Sequence, residues 1–396
     1  MSVKDDAAWN SSSALYLPTS LIDPFEQSPI ATGHTGVCQM TYINAVGDTT
    51  GEVEPVWRLP EAMYKLRPDA ARELDGVNEV AWNTIDPALL ELIRLRMAWL
   101  IGAQDGGGDH THVAHTRRIG LPEHKVRDLA SYSTSAEFSN VERDCLAFAE
   151  QFVMDVSQTS TEMRDTLAGH FGQDLVNDFV TAVYVVEFTQ RLQLVSRALF
   201  ASTTGEAPPG QDTTNTSPRT GSLQELLDEY QSAVMRGEAL DPITTELVRL
   251  RCARTHRCRI CQTLRMADAK EAGADDAMTA KIDFYEKSDL PEQYKVALRI
   301  TDAFIIRPDT MDDIVVEQAH SHFSSAQLAE LCLDITKWST QKIHVAQGLD
   351  GVEDAAQRQG RAALPTDEAG VAIFHFDGDG QFGFGNANQR AGTQAG

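Results

Sequence analysis

The chain repeats itself, and that constrains its fold more than any other feature. Asp86-Pro-Ala-Leu-Leu-Glu-Leu-Ile-Arg-Leu-Arg96 and Asp241-Pro-Ile-Thr-Thr-Glu-Leu-Val-Arg-Leu-Arg251 share Asp, Pro, Glu, Leu, Arg, Leu and Arg in register, 155 residues apart. Further on, His170-Phe171 answers His322-Phe323, and Thr189-Gln190-Arg191 answers Thr340-Gln341-Lys342. Several matches in the same order indicate duplication, which points to one architectural unit built twice. In both copies an Asp precedes Pro, the pattern of a helix N-cap followed by Pro at the first helical position.

Each copy reads as helices. Apolar residues at helical spacing run through about 86–101, 110–119, 140–156, 160–169 and 173–200 in the first half. In the second they run through about 223–236, 242–256, 259–272, 291–306, 309–320 and 325–347. Gly120 and Gly273 stand where helix C-caps belong. Trp99, Phe188 and Trp338 lie on apolar faces and are expected in the core. The expected fold is therefore all-α: two tandem homologous helical bundles, residues 61–200 and 222–350. Between them 201–221, rich in Pro, Gly, Ser and Thr, reads as a linker. Residues 1–60 read as an irregular N-terminal arm with a possible strand near Val37–Val46. In the tail, 351–396, Val371–Phe376 and Gln381–Phe384 flank Asp377-Gly-Asp-Gly380, which predicts a β-hairpin.

Composition narrows the function classes. The 396 residues are 42% hydrophobic and 23% charged, enough for a packed core and too apolar for global disorder. Against 34 Lys and Arg stand 58 Asp and Glu, leaving a net charge of −24. Such a surface repels phosphate backbones and anionic lipid, which argues against nucleic-acid and membrane partners. No apolar run approaches the ~20 residues of a membrane span and the start lacks a secretory apolar region, so a cytoplasmic protein is expected. Six cysteines in so long a chain are too few for a disulfide framework. Cys38, Cys145, Cys252 and Cys332 are isolated and read as small buried apolar residues.

The remaining two are Cys258-Arg-Ile-Cys261, which follow Glu246 by twelve residues and lie just past a break at Thr255-His256-Arg257. A thiolate at a helix N-terminus gains from unpaired N–H groups and the positive dipole end. Spacing of three puts both sulfurs on one face, where they can close a disulfide. Arg265, four residues past Cys261, is expected on that same face. The alternatives are a reduced structural pair or half of a zinc site, but zinc needs four ligands and there is no second such pair. Glu246 can equally pair with Arg249 on its own helix, as Glu91 can with Arg94.

This pattern resembles the carboxymuconolactone decarboxylase and alkylhydroperoxidase D-like superfamily. Its signature is a Glu, Cys-x-x-Cys about twelve residues later, a His four residues on, then a Gly eight further. Here Glu246, Cys258, Cys261 and Gly273 stand at those spacings. The resemblance covers most of 86–200 and 241–350 and implies an all-α, alkylhydroperoxidase D-like fold in a homo-oligomer, a trimer by preference. It implies a hydroperoxide-attacking thiolate at Cys261, a resolving thiol at Cys258 and Glu246 at the start of a proton relay. No cofactor or metal is implied; a thioredoxin- or lipoyl-type donor would restore the thiols. Arg265 replaces the family His, and a guanidinium cannot pass a proton. His256 or His344 would have to substitute.

The first copy has lost the cysteine pair but keeps Glu91, with His110 nineteen residues on, or His112 in that place when counted back from Gly120. It resembles the cysteine-less, lactone-decarboxylase branch, in which acid–base residues act. A cofactor-free decarboxylase or isomerase of a small lactone or cyclic acid is the second reading, and a non-catalytic oligomeric binding module the third. Asp109, His112 and His115 invite a metal reading, yet hydrogen-bonded histidines at a helix start are commoner, and no metal is assigned. His170 and His322 are read as capping or packing residues.

Overall fold

A computed structural model of the chain describes residues 55–103, 115–201, 221–358, 360–361, 363–366 and 370–385. The first half contributes α1 (Glu61–Leu66), α2 (Pro68–Thr84), α3 (Pro87–Leu100), α4 (Glu123–Asp128), α5 (Asn140–Asp155) and α6 (Thr161–Phe200). The second contributes α7 (Leu223–Met235), α8 (Pro242–Thr255), α9 (Arg259–Thr263), strand β1 (Arg265–Met266), α10 (Ala267–Glu271) and α11 (Asp276–Thr279). Then follow α12 (Glu292–Ile305), α13 (Asp313–His322), α14 (Ser325–Trp338), α15 (Gln341–Gln347), α16 (Val352–Arg358) and the hairpin β2 (Ile373–Phe376) and β3 (Phe382–Phe384). The fold is all-α apart from that small sheet.

The duplicated segments open as their sequence dictates. Asp86 Oδ1 accepts the Leu89 N–H at 2.8 Å, and Asp241 Oδ1 accepts the Thr244 N–H at 3.0 Å. Such caps stabilise by about 1 kcal/mol each. Gly120 and Gly273 end their helices at positive φ (71° and 104°), and Leu121 N–H and Ala274 N–H close the turns onto Thr116 and Ala269. α6 breaks at Gly172 (φ 77°, ψ 165°), so its length is two helical runs, as the periodicity indicates.

The two halves pack alike. α3 lies against α5 and α8 against α12, while α2 lies against α7. The centre is a pair of helices, one from each half: Phe179–Gln193 of α6 and Leu328–Trp338 of α14 are buried at every position. Both segments bury polar and charged residues among the apolar ones, including Glu187, Arg191, Asp334 and Lys337. Tyr184 Oη ties the two, donating to the Thr336 carbonyl. One hydrophobic core therefore runs through both copies.

Charge is buried in this centre. Glu187 Oε2 accepts from Lys342 Nζ at 2.6 Å and Glu187 Oε1 from Arg191 Nε at 2.8 Å. Arg191 and Lys342 are the matched residues of the two repeats, so duplication places two cations around one carboxylate. Burial pushes the Lys342 amine down to about 8, opposed by Glu187.

Several expectations are corrected. The helix expected over 259–272 is two short helices with β1 between them. The run at 325–347 breaks at Ser339-Thr340. α1 and α2 lie within the expected first bundle but before the first helical run read from the sequence, which began at about 86; α2 packs against α7. Trp99 is 49% exposed, with the Arg96 guanidinium 4.6 Å over its ring, rather than in the core. Phe188, Trp338, Cys145, Cys252 and Cys332 are buried as expected. The hairpin forms, its turn closed by the Asp377 N–H on the Gln381 carbonyl. Its partner is unexpected: β2 pairs in parallel with β1, Arg265 opposite Ile373. The expected strand near Val37–Val46, Cys38 and residues 202–220 of the linker lie outside the described residues.

Candidate functional site

α8 ends in a turn that aims the cysteine pair. Arg257 adopts φ 55°, the left-handed position usually given to Gly, and the Cys258 N–H returns to the Ala253 carbonyl at 3.0 Å. The Arg257 side chain reaches Asp155 of the first half at 3.1 Å. Cys258 then stands as N-cap of α9, its sulfur accepting the Cys261 N–H at 3.3 Å. Cys258 and Cys261 are joined in a disulfide, with Cα atoms 5.3 Å apart. Cys258 is fully buried; Cys261 is half-buried and reaches the surface.

Beneath them, Glu246 and Arg249 form a buried bidentate pair (Nε–Oε2 2.6 Å, Nη2–Oε1 2.8 Å). The same guanidinium donates to the Cys261 carbonyl at 2.7 Å and the Leu264 carbonyl at 2.6 Å. Glu246 thus reaches the cysteine helix through Arg249. This also explains why α9 is short: the Cys261 carbonyl is taken, and the Arg265 N–H turns instead to the Ala372 carbonyl at 3.1 Å. The tail closes over the Glu246–Arg249 pair through Phe374, 5.1 Å from the Arg249 guanidinium, and Trp338 of α14 lies 6.0 Å from it.

Arg265 therefore does not continue the cysteine helix. It sits in β1, and its Nη1 donates to the Gln262 and Leu264 carbonyls at 2.8 and 2.9 Å. His256 is buried behind the pair, Nε2 3.2 Å from Ser339 Oγ. Burial, then the charges of Lys342 and Arg191, push it well below the usual imidazole range, so it is neutral. His344 on α15 is pushed down to about 4, by burial and by Arg358. No hydrogen bond joins either imidazole to a cysteine sulfur among the described residues.

The first half carries the matching pair without the thiols. Arg94 Nε and Nη2 meet Glu91 at 2.6 and 2.7 Å, and Thr116 Oγ1 donates to Glu91 Oε1 at 2.6 Å. His115 Nε2 is 3.9 Å from Glu91 Oε2, its ring edge-on to Trp82 at 4.8 Å. His110 and His112 lie outside the described residues. His170 pairs with Asp144 at 2.8 Å. Among the described residues no group of three or more His, Cys, Asp or Glu gathers that could hold a metal ion, and no helix is long and apolar enough to cross a membrane. An open cavity of about 550 Å³ lies at the N-terminal end of α8, lined by Asp241, Pro242, Tyr294 and Gln327 among others; neither cysteine lines it.

Sequence reasoning missed the links that hold this site together. Arg249 was legible as a partner of Glu246 but not as a clamp on α9. Asp350, which caps α9, and Phe374, which covers Arg249, stand about 90 residues or more from the cysteines, with no local signal. Sequence comparison agrees with the geometry. Residues 222–281, from α7 through the cysteine pair, match the model of the carboxymuconolactone decarboxylase family. The chain is 35% identical over 206 residues to the uncharacterized protein Rv2313c of Mycobacterium tuberculosis, covering 51% of this chain and 71% of that one. It is 29% identical over 93 residues to the uncharacterized protein YnjA of Escherichia coli, 23% of this chain and 51% of that one. No solved structure matches. The chain belongs to the carboxymuconolactone decarboxylase family.

Proposed function

We propose that the chain is a dithiol-dependent hydroperoxide reductase acting at Cys258 and Cys261. The observation that carries this reading is a closed cysteine pair at the head of α9, with Cys261 half-buried and Cys258 fully buried. In the reduced protein the Cys261 thiolate attacks the O–O bond of a small hydroperoxide. The O–O bond breaks, the alcohol leaves with a proton, and Cys261 becomes a sulfenic acid. The Cys258 thiol condenses with it, forming the disulfide and releasing water. An external dithiol, itself oxidised to a disulfide, restores both thiols.

Arg265 stands in place of the family imidazole, and its guanidinium is engaged with two carbonyls, so proton exchange at Cys261 runs to solvent from its exposed side. Glu246 and Arg249 position α9 and do not touch the reacting atoms. Consumption of hydroperoxide by purified protein with dithiothreitol tests the proposal: Cys261→Ser abolishes it, and equal rates in the two proteins refute it.

A second reading rests on the closeness of Glu91 and His115. It makes the first repeat a proton-transfer site for a small lactone or cyclic acid. It requires turnover that survives Cys258→Ser and Cys261→Ser together but not Glu91→Gln.

A further inference from the structure

With Cys258 and Cys261 read as a redox dithiol, the charges at the head of α9 bear directly on the pair. The first turn of α9 offers three N–H donors. The Arg259 N–H goes to Asp350 Oδ2 at 2.9 Å and the Ile260 N–H to the Asp350 carbonyl at 2.9 Å, while the third, from Cys261, goes to Cys258 Sγ. One residue, brought in from the loop after α15, therefore takes two of the donors that would otherwise favour a thiolate. The other carboxylate oxygen, Asp350 Oδ1, holds Arg259 Nε at 3.1 Å and Nη2 at 2.7 Å. The Asp350 side chain is 6% exposed and that of Arg259 64%. A buried anion and an exposed cation thus sit on the residue next to Cys258.

The other charged groups around the pair are already engaged. Arg257 pairs with Asp155, and Arg249 with Glu246. Arg265 faces carbonyls and, at 3.5 Å, Asp276. From α16, Asp354 accepts the Gly351 N–H and Arg358 donates to the Leu349 carbonyl. His344 on α15 and His256 behind the pair are neutral for the reasons given above. Asp350 and Arg259 are the charges at the N-terminal end of α9, beside Cys258, whereas Arg249 holds its C-terminal end at the Cys261 carbonyl.

We infer that Asp350 and Arg259 form a charge clamp that sets the reduction potential of the Cys258–Cys261 pair, with Asp350 favouring the disulfide and Arg259 favouring the thiolate. The signs follow from charge alone. A carboxylate beside a thiolate raises the thiol pKa and destabilises the reduced form; a guanidinium does the reverse. The hydrogen bonds from Arg259 hold the Asp350 carboxyl below the usual carboxylate range despite its burial, so it is an anion at neutral pH.

The test is equilibration of the full-length protein, wild type, Asp350→Asn and Arg259→Gln, in reduced and oxidised glutathione at pH 7. Protein disulfide plus two glutathione thiols exchange for protein dithiol plus glutathione disulfide, and alkylation with intact mass reads the ratio. Asp350→Asn, which keeps an acceptor for the Arg259 N–H, is expected to favour the dithiol about tenfold, or ~30 mV for a two-electron couple. Arg259→Gln, at an exposed side chain, is expected to favour the disulfide by a similar factor. Both variants break the same ion pair, so a merely structural role moves both in one direction. Shifts of the same sign, or equilibrium constants within twofold of wild type, overturn the inference. A wild-type pair that exchanges with glutathione at no ratio refutes the redox reading itself, and the clamp falls with it.

Discussion

Replacing Glu246 by Gln distinguishes a carboxylate that relays protons from one that anchors an arginine. Glu246 and Arg249 are 1% and 3% exposed, and all of the hydrogen-bonding shown for Glu246 is with Arg249. Breaking a buried pair by removing one charge costs about 3–5 kcal/mol, because the other is left uncompensated. Arg249→Met incurs a similar cost and also frees the carbonyls of Cys261 and Leu264, each worth about 1–3 kcal/mol when left unsatisfied. The double variant carries neither charge and should be no less stable than Arg249→Met. The sum of the two single effects should then exceed the double effect by about 3 kcal/mol or more. Equilibrium urea unfolding of the three variants and wild type measures the coupling, with hydroperoxide turnover measured alongside. Effects that add within about 0.5 kcal/mol would show that the two residues do not act as a unit. Turnover lost in Glu246→Gln without loss of stability would make Glu246 a proton carrier and refute the anchoring argument.

Two further outcomes follow from burial elsewhere. Burial, with Glu330 nearby, pushes the Asp334 carboxyl up to about 7, so the native state holds a proton there that the unfolded state releases near pH 4. Stability from this group is present at acid pH and lost as pH rises through about 7. Asp334→Asn should therefore gain on wild type between pH 5 and 8 by a few kcal/mol in urea titrations, and a pH-independent difference would exclude the shift. Phe374 is 1% exposed and covers Arg249, so Phe374→Ala should cost about 3–5 kcal/mol. The same variant should speed alkylation of the reduced cysteine pair. A melting temperature unchanged within a degree would mean that the hairpin contributes no packing over α8.

Much of the fold was legible because it depends on neighbours in the chain. The Asp-Pro helix starts, the Gly120 and Gly273 caps and the hairpin turn each need only a few adjacent residues, and all form as expected. The long helical runs of α6 and α14 were legible for the same reason, though their central place was not. Errors arise where a distant residue competes with the local pattern. α9 stops because Arg249 takes a carbonyl that a longer helix would use, and because the tail offers Arg265 a different acceptor. Trp99 sits on an apolar face at the end of α3, half exposed and covered by the Arg96 guanidinium rather than by core. In the site, the cysteine spacing and Glu246 were visible, but the face assigned to Arg265 was not the one it takes.

What the sequence determined alone is the duplication, the helical class and the two sulfurs three residues apart, since periodicity, capping and spacing are properties of a chain read in order. Tertiary structure decided which charges those sulfurs meet. Arg249, Asp350 and Phe374 reach α9 from three separate elements, and electrostatic and packing energies depend on distance in space, for which separation along the chain is no guide.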